Sequence, residues 1–388
     1  MKLKQPGDFQ VEEITDVVAV SAGPFALYRL EKRGWSTPDA LAAVRRRWGV
    51  EPARLSYGGL KDRHAWTTQH LTIFHGPRRG LRHHTISLEY LGQVGRPFTS
   101  QDIRANRFRI TVRQLDPGQQ DILTARLEQV AVEGVPNYFD DQRFGSVADE
   151  GSEFIARLLV RGRFEDALRL ALTAPYEFDR AEQKHEKEVL LQHWGDWAVC
   201  KERLPRGHAR SLIDYLRVHP GDFRGAVARL RPELRGLYLS AYQSHLWNRM
   251  LARWLRQHCR PEQLVTTALR LGEVPMHQGL DAEQLRELAS LTLPLPSARL
   301  KLDDSDPRNE LVGAILAEEG LTLREMQVRG VRELFFSRGE RSALCVPAGL
   351  THEFADDERH RGQFKLQLSF ELGRGCYATL VVKRVTAV

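Results

Sequence analysis

Apolar positions along this chain keep two rhythms, and the change from one to the other marks its organisation. Near the start, Phe9, Val11 and Ile14 form the apolar side of a strand entering a core, and strand-like runs follow at Thr67 to Phe74, Thr85 to Leu91 and Phe108 to Leu115. Between them the spacing predicts a helix of about three turns: Thr37 can cap it, Pro38 suits its first position, and Asp39 complements its dipole. Ala40, Leu41, Val44 and Trp48 recur at helical spacing, and Gly49 closes the helix. A second helix is expected from Pro117 to Glu133, ending at Gly134. From Ser146 the texture becomes helical, with Phe154-Ile155, Leu158-Leu159, Ala167-Leu168 and the stretch Leu237 to Leu255 repeating at three and four residues. Prolines at 175, 205, 220, 232 and 261 and the Leu293-Pro294-Leu295-Pro296 stretch break this region into short elements. Alternation returns at Phe364, Leu366, Leu368, Phe370 and Leu372, and with Gly373-Arg374-Gly375 and Tyr377 to Val385 it predicts a closing β-hairpin.

Strand-rich ends around a helical middle predict an α+β fold in which one discontinuous domain receives its last strands after an inserted domain. A separate C-terminal β module is the alternative. No fixed-period repeat is present. The 388 residues suffice for two to three domains, and 42% apolar with 28% charged residues is the balance of a folded, soluble protein. The weakly polar stretch Val17 to Tyr28 is broken by Gly23-Pro24 and is too short to span a bilayer, and the first fifteen residues lack the apolar core of a signal peptide. A cytoplasmic protein without membrane contact is expected. Cys200, Cys259, Cys345 and Cys376 are far apart, and the histidines at 64, 70, 75, 83 and 84 lack metal-ligand spacing, so neither metal nor cofactor is assigned. Fifty-seven Lys and Arg against fifty Asp and Glu give a net charge of +7, which favours a polyanionic partner. The excess of Arg over Lys suits phosphate contacts, although a GC-rich genome would produce it too.

Two polar clusters stand out. In Tyr57-Gly58-Gly59-Leu60-Lys61-Asp62-Arg63-His64, two glycines that permit positive φ or close approach precede a carboxylate flanked by cations. Such a loop can hold a reactive aspartate, or be a solvated turn with surface ion pairs. In Val135-Pro136-Asn137-Tyr138-Phe139-Asp140-Asp141-Gln142-Arg143-Phe144-Gly145, consecutive aromatics beside Asn, Gln and Arg can stack on a flat ring and read its edge, or anchor a helix-exit loop.

With the basic lead, these clusters form an ordered set: Lys4, Pro6, Asp8, Phe9, Val11 and Glu13; then Gly59-Leu60-Lys61-Asp62 with Ala65, Thr67 and Gln69; then Val135 to Phe139 with Gln142-Arg143-Phe144-Gly145. Tyr238-Leu239-Ser240-Ala241 with Ser244, Leu246 and Asn248, and Phe370 and Leu372 with Gly375 and Tyr377-Ala378-Thr379, follow in turn. In these five motifs, spread over nearly the whole chain, the sequence resembles the TruD family of tRNA pseudouridine synthases. The resemblance implies a pseudouridine-synthase catalytic domain with a mixed sheet and flanking helices, over 1–145 and 336–388, interrupted by a mainly helical inserted domain at 146–335. It implies that Asp62 is the essential aspartate, that Lys4 pairs with it, and that Phe139 stacks on the target uracil. Asn137, Phe9, Gln142 and Arg143 also match family positions, and Lys61 is expected to be a backbone or RNA contact. Gly58 stands where the family often has Ala, and Asp140-Asp141 is more acidic than usual, placing extra negative charge near an RNA site.

The implied reaction breaks the N1–C1′ bond of a tRNA uridine, expected at position 13 in the D arm, and rejoins the ring through C5, with no redox partner, metal or added group. A base inside folded RNA must be extruded, with its lost stacking replaced by an aromatic side chain. Asp62 then attacks C1′, adds to the ring or acts as base; residue types do not choose. The arginines of 203–210 and 224–235 are candidate phosphate contacts. A monomer acting on tRNA is expected. The alternatives are a non-catalytic RNA-binding or RNA-folding protein and an unrelated hydrolase using Asp62 with His64.

Overall fold

The computed structural model describes residues 6–176 and 179–387. In chain order its elements are β1 Phe9–Thr15, β2 Phe25–Arg33, α1 Thr37–Trp48, β3 Leu55–Tyr57, β4 Trp66–Phe74, β5 Leu81–His83, β6 Ile86–Val94, β7 Ile103–Leu115, α2 Gln120–Glu133 and β8 Val135–Pro136. Next come α3 Ile155–Val160, α4 Phe164–Thr173, α5 Ala181–Gln192, α6 Trp197–Arg203, α7 His208–Val218, α8 Phe223–Ala228, α9 Pro232–His258, β9 Leu264–Leu269, β10 Gly272–His277, α10 Ala282–Ser290, β11 Thr292–Pro294 and α11 Arg308–Glu318. The chain ends with β12 Glu340–Ser342, β13 Leu344–Cys345, β14 Ala348–Asp356, β15 Phe364–Gly373 and α12 Ala378–Thr386. The fold is α+β. Two compact units divide it, one running to Gly134 and resuming at Cys345–Thr386, the other spanning Val135–Leu344. The boundaries expected at 145/146 and 335/336 both fall inside the second unit.

The first unit is built on a mixed sheet in the order β14-β15-β7-β1-β4-β2-β6-β5, with β3 also paired to β4. Only β1 and β4 run parallel in it. Strand alternation sends one set of side chains to a single covered face. The row Phe370, Phe108, Val11, Thr67, Lys32, Ile86 crosses the sheet from β15 to β6, each residue opposite the next, and all six are buried. Helix α1 covers the β2–β6 end of this face: Ala40, Leu41 and Val44 pack on Ala26, Tyr28, Leu30, Leu71, Ile73 and Leu88. The opposite face is partly polar, with Arg107 bonded to Glu12 and Glu371 across neighbouring strands, and partly covered, where Leu27 packs with Val94, Phe98 and Ile103.

Two local details correct the expectations. Ser36, not Thr37, caps α1 by accepting from the Asp39 amide, while Gly49 closes it at φ 64° as its position suggested. The segment after β15 is helix α12 rather than the second arm of a hairpin. Its valines gave it β character, but Ala378, Val381, Val382 and Val385 are buried at helical spacing and α12 packs on α2, so tertiary burial overrides local propensity.

The second unit is mainly helical, with the hairpin β9–β10 and the short pair β11–β12 added. Its spine is α9, buried nearly all round from Tyr238 to Leu255. Polar groups on this helix are matched internally: Trp247 donates to the Leu293 carbonyl at 3.0 Å, and Gln243 donates to the carbonyls of Pro296 and Ser337 at 2.9 Å each.

Candidate functional site

In the first unit, the loop between β3 and β4 carries Asp62 and lies against the polar end of the covered sheet face. Three buried side chains hold its backbone. Gln69 of β4 donates to the Gly59 carbonyl at 3.2 Å. Thr37, released from capping, accepts from the Lys61 amide at 2.9 Å and donates to Gln69 Oε1 at 2.9 Å. Lys32 Nζ donates to the carbonyls of Trp35 at 2.7 Å, Lys61 at 3.3 Å and Asp62 at 2.8 Å. The half-buried Asp62 carboxylate accepts from the His64 amide at 2.8 Å, a turn closed on its own loop. Neither glycine before it uses positive φ. Gly58 stands at a close approach: a Cβ there would lie 2.6 Å from the flexible end of the Ile103 side chain and 3.1 Å from Phe98, whereas Gly59 faces open space.

Lys61 and Phe9 are committed inside this unit. The Lys61 ammonium pairs with Glu13 at 3.2 Å and donates to Asn106, leaving the side chain 10% exposed and tying the loop to the sheet. Glu13 also accepts from the His70 amide at 2.9 Å. Burial alone would raise the Glu13 carboxyl, but its bonds to His70 and the Lys61 charge hold it below its ordinary value. Phe9 is buried edge-on to Phe108, with ring centroids 6.0 Å apart, which makes it a core residue. Lys4 lies outside the described residues.

In the second unit, the segment after β8 is fixed at each residue. The Asn137 amide donates to the Ala343 carbonyl at 2.7 Å, and its side chain donates to the Ser342 carbonyl at 3.0 Å. Asn248 of α9 clamps Phe139, accepting from its N–H and donating to its C=O, both at 2.8 Å. The Phe139 ring, 7% exposed, meets the Trp247 edge at 5.5 Å between centroids, and the Arg341 guanidinium lies 4.2 Å from the ring centre. Arg341 also donates to the Asn137 carbonyl at 2.9 Å and to its side-chain oxygen at 2.6 Å. Arg143 donates to Ser244 Oγ at 3.1 Å, with its guanidinium 5.3 Å from the Phe139 ring, and Gln142 is exposed.

The acidic pair does not add two free surface charges. Asp140 is buried, and Asp141 accepts from the Arg270 amide at 2.8 Å. Of the candidate phosphate-contact arginines, the exposed Arg229 lies over Tyr215 and Arg235 donates to the Ala228 carbonyl. Among the described residues, no group of three or more His, Cys, Asp or Glu could hold a metal, and no helix is long and apolar enough to cross a membrane.

Sequence reading missed Lys32, Thr37 as a loop anchor, Arg341 and the purpose of Asn248. Asn248 and Ser244 were visible as a motif on α9, but their partners lie about a hundred residues away in sequence.

Residues 1–385 match the family described as tRNA pseudouridine synthase D (TruD). The chain belongs to the TruD family. It is 32% identical over 394 residues to the probable tRNA pseudouridine synthase D 2 of Methanocaldococcus jannaschii, covering 99% of this chain and 91% of that protein. It is 27% identical to the tRNA pseudouridine synthase D of Aquifex aeolicus over 98% of this chain and 97% of that protein. The crystal structure of the putative TruD of Methanosarcina mazei superposes with a TM-score of 0.72 at 26% identity, covering 99% of this chain and 93% of that one. The loop of Asp62 and the segment of Phe139 are thus read within a TruD-family fold.

Proposed function

We propose that this chain isomerises uridine 13 in the D arm of tRNA to pseudouridine, with an ionised Asp62 as the catalytic group and Phe139 as the ring that takes up the extruded base. The observation that carries the reading is the way the Asp62 loop is built. Three buried side chains secure its backbone at Gly59, Lys61 and Asp62, while the carboxylate accepts from the His64 amide and Asp62 is only part-buried. A solvated turn has no need of that investment in buried polar groups, whereas a reacting carboxylate needs a fixed origin. The second segment supports the same reading, because Asn248 and Arg341 fix the backbone and ring of Phe139. The enzyme works on tRNA in the cytoplasm as a monomer, and Lys4 belongs to the same catalytic set as Asp62.

Tritium release from C5 of uridine-labelled tRNA transcripts tests this directly, because C5 loses its hydrogen when it becomes the glycosidic atom. Wild type is expected to release tritium, and Asp62→Asn to release it at least about a thousandfold more slowly with tRNA affinity retained. Binding by wild type without release from a full set of tRNAs would instead support the non-catalytic binder.

A further inference from the structure

Lys32 occupies a position that the pattern of β2 reserves for an apolar residue. Ala26, Tyr28, Leu30 and Lys32 point to the covered face in turn, and all four are fully buried. In its cross-sheet row Lys32 sits directly between Thr67 and Ile86. A buried ammonium costs several kcal/mol unless its charge and all its protons are matched. Burial pushes Lys32 down to about 8, with the Asp62 charge opposing that fall and Lys61 adding to it. An aliphatic side chain would fill the row without this cost.

What the ammonium does there is specific. Its three bonds go to main-chain carbonyls, and two of those belong to Lys61 and Asp62. The Asp62 carbonyl is held by Lys32 of β2, and its carboxylate turns back onto the His64 amide. The lysine therefore ties the backbone of Lys61 and Asp62 to the sheet, and it places an ammonium beneath the loop.

Given the reading of Asp62 as the catalytic group, we propose that Lys32 is the positioning residue of this loop, gathering the carbonyls of Trp35, Lys61 and Asp62 so that the carboxylate is presented in one place. Lys32 does not meet substrate; it acts through Asp62. A misplacement of about 1 Å in a reacting group can cost about a hundredfold in rate, which sets the scale of its effect.

The test compares Lys32→Met, Lys32→Gln and Lys32→Arg with wild type and Asp62→Asn, in the full-length protein. Single-turnover tritium release, tRNA Kd and Tm are measured for each. Lys32→Met is expected to react about 10- to 100-fold more slowly, with Kd within about twofold of wild type and the protein still folded with a modestly changed Tm, because relief of the buried ammonium offsets the carbonyls left without their donor. Lys32→Arg, which restores donors and charge, is expected to recover part of the rate. An inactive wild type would sink the synthase reading itself. An active wild type with Lys32→Met reacting within about twofold of it would overturn the positioning role alone. Rate losses in all three variants that follow loss of folded protein, or failure of all three to fold, would assign Lys32 to folding and likewise overturn the proposal.

Discussion

The two units hold their candidate residues by the same device with different materials. In both, a side chain from a regular element captures the backbone of an irregular segment: Lys32, Thr37 and Gln69 for Asp62, Asn248 and Arg341 for Phe139. The Phe139 clamp is a neutral amide making a closed pair of bonds, and the ring itself is covered by Arg341 and Trp247. The Asp62 clamp rests on charge, with a buried lysine under the loop and the Lys61–Glu13 pair beside it, and it leaves the candidate side chain part-exposed. An aromatic platform works through shape, so a rigid mount that fixes both its backbone and its ring suits it. A carboxylate works through its ionisation, so its mount also sets the field around it.

The largest expected break in this comparison is on the neutral side. Asn248→Ala leaves the buried N–H and C=O of Phe139 without their partner, at about 1–3 kcal/mol for each, so Tm and turnover should both fall steeply; unchanged melting and activity would show that the clamp is dispensable. Arg341→Met removes the guanidinium from the ring and three bonds to Asn137 and Tyr138, and should slow turnover about tenfold, on the scale of one lost stacking or charged hydrogen-bond interaction. On the charged side, Thr37→Val removes the acceptor of the Lys61 amide while preserving the shape of the side chain. It is expected to cost about 1–2 kcal/mol, with faster hydrogen exchange at 59–62 and none of that change at 137–143.

Acid should separate the two mounts without mutation. The Glu13 carboxyl is held below its ordinary value in the folded state, so its contribution to stability is present above the unfolded value of 4.5 and is lost as pH falls below it. Protection of the 58–65 amides, measured against their intrinsic exchange rates, should therefore fall below about pH 4.5 before that of 137–143, and Glu13→Gln should remove the difference; equal loosening of both segments would refute the contrast. The smallest effect is expected from Gly58→Ala. The added methyl meets the flexible end of Ile103, so the change in Tm should be within about 1 kcal/mol of stability.

Much of this was legible in the chain, and what was missed has a common cause. Helix α1, strands β1, β4 and β7 and the end of α2 at Gly134 follow from local rhythm and punctuation. Helix α12 was misread because Val381, Val382 and Val385 speak for a strand locally, while their burial on a helical stripe is a tertiary fact. Strand β2 was overlooked in part because Lys32 interrupts its apolar alternation, and that interruption is the feature that ties it to the Asp62 loop. Asp62 and Phe139 could be singled out from motifs. Their supports could not, since an Asn on a long helix or an Arg in a short strand gains meaning only from a partner far along the chain. The same distance explains why Phe9 and Lys61, prominent in the motifs, prove to be committed to the core and to Glu13.

The most direct test of the central claim is to map the modified nucleotide. tRNA transcripts treated with wild type or Asp62→Asn would be reacted with a carbodiimide that marks pseudouridine and read by reverse transcription. The account predicts a stop at uridine 13 with wild type and none with Asp62→Asn. A stop of equal strength with both proteins, or no stop at any D-arm uridine, would contradict it.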